Sequence, residues 1–314
     1  MNARKWQVRA IQWAWILILG LWGQSSLLAQ TFQAEVSAGE NFEKAQFRLW
    51  IEPDTALRGL LVLVPGSNGD GRTQVDDQRW QTFARPLGLG LVGVRFTDRK
   101  HENMAIEHYV DVRRGSGAAL ENGLLILAQS CGKKEFAKAP LLLWGMSAGG
   151  QFNYEFALWK PERVIGFVVN KGGIYYNAIA SPDARAVPGL FFMGDEDLEF
   201  RNDILRGVYS VNRRFQSQWA LVVEPQTAHV VGRSRDLAEL FFEEILDQRL
   251  APGTRTGLRP LPYSSGFLGD PKTGKVTPAK DGDEGRYPHA WLPSQFLAQA
   301  WQAVRAKEAL PRRQ

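Results

Sequence analysis

Cysteine and histidine are scarce in this chain. Cys131 is the only cysteine among 314 residues, so no disulfide can form within the chain. Because Cys131 ends an apolar helical pattern, we expect it to be a core residue and not a nucleophile. The four histidines are scattered along the sequence, an arrangement that does not predict a metal site. We therefore expect that the protein binds no metal and no other cofactor. We also expect that the hydrophobic core, and not disulfides, stabilises the fold.

Blocks of basic residues are also missing. The formal net charge is +5, but Arg4, Lys5 and Arg9 belong to an amino-terminal leader that has no acidic residue. The rest of the chain carries 35 basic and 33 acidic side chains. This near balance gives no electrostatic reason to expect a nucleic acid as partner.

Residues 1–29 have the organisation of a secretory signal peptide. Their basic start is followed by an apolar stretch from about Trp13 to Trp22 and by a polar segment that ends at Ala29. The apolar stretch is short for a membrane span, so we expect no stable membrane insertion once the signal is removed. Export without disulfides predicts a periplasmic or secreted bacterial protein.

Short apolar runs alternate with helical patterns along most of the chain. The runs cover 60–64, 89–96, 141–144, 164–169, 190–193 and 219–223, and the helix candidates cover 78–87, 117–130, 151–159, 202–215 and 234–250. Continuous apolar runs indicate parallel strands that helices bury on both faces. Ahead of these runs, apolar residues alternate loosely with polar ones in two stretches within 31–53, which predicts an antiparallel hairpin. The sequence therefore predicts an α/β fold with a mostly parallel sheet.

The tail has a different composition. Residues 30–251 hold the alternating pattern and predict one main domain, whereas the tail, residues 252–314, is rich in Pro and Gly up to Pro293. A helix candidate then runs from Ser294 to about Leu310, with apolar residues on one side. We expect the tail to be an appendage that packs on the main domain.

The segment Gly145-Met146-Ser147-Ala148-Gly149 follows an apolar run and precedes a helix candidate. A Gly-x-Ser-x-Gly sequence in that context predicts a nucleophile elbow, a tight strand-to-helix turn that exposes the serine hydroxyl. The residues two before and two after the serine must be small because the turn is strained. Ser147 is therefore the candidate nucleophile.

A nucleophilic serine needs a base and an acid that orients the base. Where a nucleophile elbow is used, the chain order is serine, then acid, then histidine. His229, in a loop between an apolar run and a helix candidate, satisfies that order, whereas His101 and His108 precede the serine. The acid is expected in the segment 195–197, where Asp195 and Asp197 both follow an apolar run.

Two backbone N–H groups should hold the oxyanion of the reaction. One is predicted at Ala148, directly after the nucleophile, and the other in the loop after the run 60–64. We assign the second donor to Ser67, with Asn68 as the alternative. This loop also resembles a phosphate-binding loop, but Arg72 stands where that motif has lysine, which argues against a nucleotide.

Together, these residues resemble the α/β-hydrolase superfamily over roughly 57–250. The elbow resembles that of secreted polyhydroxybutyrate-depolymerase-like and feruloyl-type serine esterases. In that group the acid commonly lies three residues after a glycine that ends a strand, a spacing that Gly194 and Asp197 match, and this favours Asp197 over Asp195. One departure is Pro65-Gly66, where the group usually has His-Gly. The resemblance implies that 30–251 is a catalytic domain with an α/β-hydrolase fold.

The short segment between the runs 164–169 and 190–193 predicts no large cap domain and an open cleft. Tyr175 and Tyr176 lie in it and are candidate substrate contacts. The preferred hypothesis is an exported serine hydrolase that cleaves a small-molecule or polymer-linked carboxylic ester through an acyl-enzyme on Ser147. A serine peptidase of prolyl-oligopeptidase type and a non-catalytic binding protein on the same fold are the alternatives.

Overall fold

The computed structural model describes residues 29–53, 56–250, 257–282 and 288–312. The predicted signal peptide therefore lies outside the described residues, apart from Ala29. In the described part, no helix has both the length and the apolar character that a membrane crossing requires.

An eight-stranded sheet forms the centre of the main domain. Its strands are β1 (Gln30–Val36), β2 (Lys44–Ile51), β3 (Gly59–Val64), β4 (Leu89–Thr97), β5 (Leu141–Gly145), β6 (Val164–Asn170), β7 (Gly189–Gly194) and β8 (Trp219–Glu224). They lie in the order β1-β2-β4-β3-β5-β6-β7-β8. β1, β2 and β4 pair antiparallel, whereas β4, β3, β5, β6, β7 and β8 run parallel. The predicted hairpin is β1–β2, and it extends the sheet beyond β4.

Helices cover both faces of this sheet. They are α1 (Gln78–Leu87), α2 (Ser116–Ser130), α3 (Ala148–Trp159), α4 (Pro182–Arg185), α5 (Glu199–Arg213), α6 (Ser234–Arg249) and α7 (Gln295–Arg305). Side chains from α2, α3 and α5 form one apolar core with the sheet, and those from α1, α6 and α7 form the other. Cys131 is half-buried at the end of α2 and packs against the first core, and burial raises the pKa of its thiol.

The carboxyl ends of the parallel strands meet at one edge of the sheet, which is where α/β proteins place their sites. The segment between β6 and β7, residues 171–188, is fully described and holds only the one-turn helix α4. No cap domain is therefore inserted between β6 and β7. The arrangement matches the predicted α/β fold with helices on both faces.

The tail forms a small sheet and a helix against β8. The strands β9 (Phe267–Gly269), β10 (Val276–Pro278) and β11 (Ala290–Leu292) pair antiparallel, and the indole N–H of the buried Trp301 donates to the carbonyl of Leu221 at 2.8 Å. The prediction that the tail helix reaches about Leu310 is wrong, because α7 ends at Arg305 and Lys307 has a left-handed backbone with φ of 58°.

Candidate active site

Ser147 lies in the turn between β5 and α3. Its backbone has φ of 55° and ψ of −124°, a strained conformation for a residue with a side chain. The backbone N–H of Ser147 donates to the carbonyl of Asn170, at the end of β6, at 2.8 Å. The strain is thus held by the neighbouring strand, as a nucleophile elbow requires.

The two glycines of the motif are required by close backbone contacts. A β-carbon at position 149 would lie 2.2 Å from the carbonyl oxygen of Val64, and one at position 145 would lie 2.3 Å from the carbonyl group of Gly149. Both distances are far shorter than a van der Waals contact. Glycine at 149 therefore lets the turn pack against the end of β3 and the loop that follows it, and glycine at 145 lets the end of β5 pack against the first turn of α3.

Asp197 and His229 form a hydrogen-bonded pair. Nδ1 of His229 lies 2.7 Å from Oδ2 of Asp197, whose side chain is only 1% exposed. The other oxygen, Oδ1, accepts the N–H of Leu198 at 2.7 Å and lies 3.4 Å from Nη1 of Arg201. Burial alone would raise the pKa of Asp197, but the hydrogen bonds from His229 and Leu198 outweigh it and lower that pKa below its ordinary value. Asp197 is thus held as an anion beside the imidazole.

Asp195, the alternative acid, has a different role in the structure. Its Oδ1 accepts the backbone N–H of Thr227 at 3.2 Å, and the N–H of Glu196 donates to the carbonyl of Thr227 at 3.1 Å. These bonds fasten the segment after β7 to the histidine loop, which we define as residues 225–233. Of the two aspartates, Asp197 is the one that contacts His229.

Asn170 connects Ser147 to the histidine loop. Its carbonyl accepts the Ser147 N–H, and its side-chain Nδ2 donates to the carbonyl of Val231 at 3.5 Å. The end of β6 therefore brings the elbow and the histidine loop together at one place. Sequence reasoning missed Asn170, for which a polar residue at the end of an apolar run was the only signal.

The candidate oxyanion donors lie on either side of Ser147. A β-carbon at Gly66 would be 3.7 Å from Cβ of Ser147, so the loop after β3 reaches the nucleophile. The N–H of Asn68 is already donated to the Tyr109 hydroxyl at 3.3 Å. In contrast, the N–H groups of Ser67 and Ala148 have no hydrogen-bond partner in the described part of the chain. Ser67 and Ala148 are therefore the donors that remain free for a ligand.

Asp98 is hydrogen-bonded to the loop after β3, and two histidines lie next to Asp98. The N–H of Asp98 donates to Oδ1 of Asn68 at 2.7 Å, and Nε2 of His101 lies 3.6 Å from Oδ2 of Asp98. The rings of His101 and His108 stack with centroids 3.7 Å apart. His101 and His108, which do not satisfy the chain order expected of the base, thus lie near the loop after β3, and in the described part of the chain neither of them is hydrogen-bonded to Ser147.

Glu155 anchors the loop of the two tyrosines. Its fully buried carboxylate accepts the N–H groups of Tyr176 at 2.7 Å and Asn177 at 2.9 Å. Burial raises the pKa of Glu155 above its ordinary value. Tyr176 is 39% exposed and donates its hydroxyl hydrogen to the carbonyl of Glu107, whereas Tyr175 is half-buried with its ring against Tyr154. Tyr176 is therefore the better placed of the two for contact with a ligand.

Groups of three or more histidine, cysteine, aspartate or glutamate side chains that could hold a metal ion are not found among the described residues. The carboxyl edge instead holds an acid–base pair, Asp197 and His229, and a strained serine, Ser147. Such a base can take the proton of a hydroxyl as the hydroxyl oxygen attacks a carbonyl, and free backbone N–H groups can stabilise the oxyanion that the attack forms.

Comparison with known proteins shows the fold. No protein-family profile matches the chain, and no curated protein matches it in sequence. Among solved structures, a ferulic acid esterase has a TM-score of 0.51 and 11% identity, over 69% of this chain and 97% of that chain. An esterase from Pyrobaculum calidifontis has a TM-score of 0.48 and 14% identity, over 71% and 86%. Poly(aspartic acid) hydrolase-1 from Sphingomonas has a TM-score of 0.47 and 19% identity, over 68% and 97%.

The similarity to the ferulic acid esterase, together with the strand order, confirms the predicted α/β-hydrolase fold. At 11% identity this similarity concerns the fold alone. The chemistry rests on the residues of the site.

Proposed function

We propose that this protein is a serine hydrolase that cleaves carboxylic esters through an acyl-enzyme on Ser147. The observation that carries the proposal is the hydrogen-bonded Asp197–His229 pair at the same edge of the sheet as the strained serine. A triad is recognised by such geometry and by the roles of its members.

The hydrogen bond to Asp197 fixes the role of each ring nitrogen in His229. Neutral imidazole that donates Nδ1–H to the carboxylate leaves Nε2 free to accept a proton. In the proposed reaction, Oγ of Ser147 attacks the ester carbonyl and its proton passes to Nε2. The N–H groups of Ala148 and Ser67 hold the oxyanion, and the imidazolium then gives its proton to the departing alcohol.

The second half of the reaction regenerates the enzyme. Water attacks the carbonyl of the acyl-enzyme while His229 takes one of its protons. The second tetrahedral intermediate collapses, the Ser147–acyl bond breaks, and the imidazolium returns a proton to Oγ as the carboxylic acid leaves. Asp197 stays ionised throughout and orients the ring, a role for which its lowered pKa suits it.

The surroundings of the site favour esters with apolar groups. Leu198 and Phe200 follow Asp197 and are each 53% exposed, and Val230 follows His229 and is 54% exposed. No cap encloses this edge in residues 171–188. An open site with exposed apolar neighbours suits a bulky or polymer-linked ester.

A panel of substrates tests this proposal. We expect p-nitrophenyl esters and methyl ferulate to be hydrolysed, and peptide p-nitroanilides to be cleaved far more slowly. Ser147→Ala should lower kcat by about 10⁴- to 10⁶-fold, since it removes the nucleophile. Faster cleavage of the peptides would make the protein a peptidase, and no cleavage by folded protein would favour a binding function.

We also propose that the protein is exported and that residues 1–29 are removed. The proposal is supported by the start of β1 at Gln30, since cleavage after Ala29 would leave the whole sheet intact. Amino-terminal sequencing of protein recovered from the periplasm or medium of a bacterial host should give Gln30 as the first residue. Protein that stays in the cytoplasm with Met1 in place would contradict it.

A further inference from the structure

A buried ion pair lies between the elbow and the histidine loop. Nζ of Lys171 contacts Oε2 of Glu224, and the two side chains are 0% and 3% exposed. Nζ also donates to Oδ1 of Asn170 at 3.1 Å. Lys171 directly follows β6 and Glu224 ends β8, so the pair spans the carboxyl edge across β7.

The ion pair is hydrogen-bonded to both halves of the site. On one side, Asn170 accepts the N–H of Ser147 at 2.8 Å. On the other side, Oε1 of Glu224 accepts the N–H of Arg233, at the end of the histidine loop, at 2.6 Å. One continuous set of contacts therefore runs from the backbone of the nucleophile, through Asn170 and Lys171, to the histidine loop.

The local backbone is also fitted to this pair. Lys171 has a left-handed backbone with φ of 55°, which is costly for a residue with a side chain. Gly232 has φ of 57°, and a β-carbon there would lie 2.6 Å from Oε1 of Glu224. Lys171 thus keeps a strained backbone at the ion pair, and Gly232 has no room for a side chain beside Glu224.

A buried ion pair adds little to stability over apolar residues of similar size, because both charges lose their hydration. Its benefit is geometric, since charged hydrogen bonds fix the direction of each partner. We propose that Lys171 and Glu224 are positioning residues that hold the histidine loop in register with Ser147. This inference rests on the proposed serine hydrolase function.

The double variant Lys171→Met/Glu224→Met tests the inference. It removes both charges and leaves no uncompensated ion in the core. We expect kcat to fall about 10- to 100-fold with KM nearly unchanged, since a shift of about 1 Å at the reacting groups has an effect of this size. The rate of Ser147 labelling by a fluorophosphonate should fall by the same factor.

Arg163→Met/Glu121→Met is the matched control. Arg163 pairs with Glu121 and directly precedes β6, at the end of that strand opposite to Lys171. We expect this control to leave kcat and KM unchanged. Thermal unfolding of all variants shows that activity is measured on folded protein.

Gly232→Ala is a second variant, which keeps both charges of the ion pair. Gly232 is exposed, so the variant should fold, but its β-carbon would displace Glu224 from the loop. We expect a fall in kcat without a rise in KM. If Gly232→Ala and the folded double variant Lys171→Met/Glu224→Met both keep the wild-type kcat, the positioning role is wrong.

The two proposals fail in different ways. If the wild type neither hydrolyses esters nor labels at Ser147, the proposed function is wrong and the positioning role falls with it. If the wild type is active and both the double variant and Gly232→Ala are equally active, only the positioning role is wrong. A loss of thermal stability with normal kcat would make the pair a structural element and would also overturn it.

Discussion

Asp197 and Asp195 are two residues apart, yet only one contacts the imidazole. Asp197→Asn should lower kcat by about 10⁴-fold, because an amide cannot hold His229 in the tautomer that leaves Nε2 free. Asp195→Asn should leave kcat within a few-fold, since Asp195 only accepts the Thr227 N–H. Ester hydrolysis at neutral pH by both variants checks this. A large loss for Asp195→Asn alone would move the acid to Asp195.

Glu155 offers a test of substrate contact without a change in the proposed triad. Glu155→Gln can keep an oxygen for the backbone N–H groups of Tyr176 and Asn177, which both donate to Oε1, but it replaces Oε2, the acceptor of Nδ2 of Asn177, by an N–H donor. We expect a looser tyrosine loop, a higher KM for aromatic esters and a nearly unchanged kcat. Steady-state kinetics with methyl ferulate measures both. An unchanged KM would show that the loop does not contact the substrate.

The residues at the site differ in how well a sequence reveals them. Ser147 and the acid–histidine order follow from local sequence and from chain order. Lys171 and Glu155 do not, because their partners are 53 and 22 residues away along the chain and are brought near only by folding. A buried charge looks in sequence like a break in an apolar pattern, and only the structure shows what compensates it.

Helix α1 is the element whose stability should depend most clearly on pH. Asp77 accepts hydrogen bonds from the N–H groups of Arg79 and Trp80 and from the guanidinium of Arg235. Burial would raise the pKa of Asp77, but the hydrogen bond from Arg235 outweighs it, and the pKa is lowered to about 2. Because the folded pKa is lowered, this stabilisation is complete well above the ordinary value of 3.8 and is lost as the pH falls from there towards about 2.

Asp77→Ala should therefore lower the free energy of unfolding by about 1 kcal/mol at about pH 6 and by much less at about pH 2.5. The estimate is kept at the value of an N-cap because the Asp77 side chain is 39% exposed and solvent screens its ion pair. Urea unfolding at both pH values measures the difference. Asp76→Ala, which breaks an exposed pair with Arg48, is the control and should cost less. An effect of Asp77→Ala that is equal at both pH values would contradict the account.

At the scale of elements, the sequence predicted the long segments better than the short ones. The apolar runs and helix candidates agree with β3–β8, α2 and α6 to within a few residues, because each spans enough residues to show its period. β9, β10 and β11 were missed. Each of these strands has only three residues and lies in a segment rich in Pro and Gly. β10 and β11 both pair with β9, which is separated from them along the chain.

The tail contributes to the second core of the whole molecule. Trp301 is fully buried there, and its indole N–H is bound to β8. Trp301→Ala should lower the free energy of unfolding by about 3–5 kcal/mol through the cavity that it leaves. Phe215→Ala is the control, since Phe215 is 54% exposed and should cost at most about 1 kcal/mol. Urea unfolding followed by circular dichroism compares them. Equal effects would show that the tail adds no stability to the main domain.

The strand order of the whole sheet could not be predicted from one sequence. Apolar runs indicate buried parallel strands, but the order β4-β3-β5-β6 depends on which runs pair, and pairing is a property of distant residues. The predicted α/β-hydrolase fold came from the resemblance of the elbow and its partners to a superfamily. The structure adds the contacts that bring Ser147, His229 and Asp197 to one edge.

An activated serine is the central claim, and a fluorophosphonate probe tests it most directly. The purified protein is treated with the probe and the adduct is mapped by mass spectrometry, with Ser147→Ala as control. The account predicts one adduct on Ser147 and none on the variant, with slower labelling of Asp197→Asn. Folded protein that stays unlabelled, or that labels equally after Ser147→Ala, would contradict the claim that Ser147 is a nucleophile activated by His229.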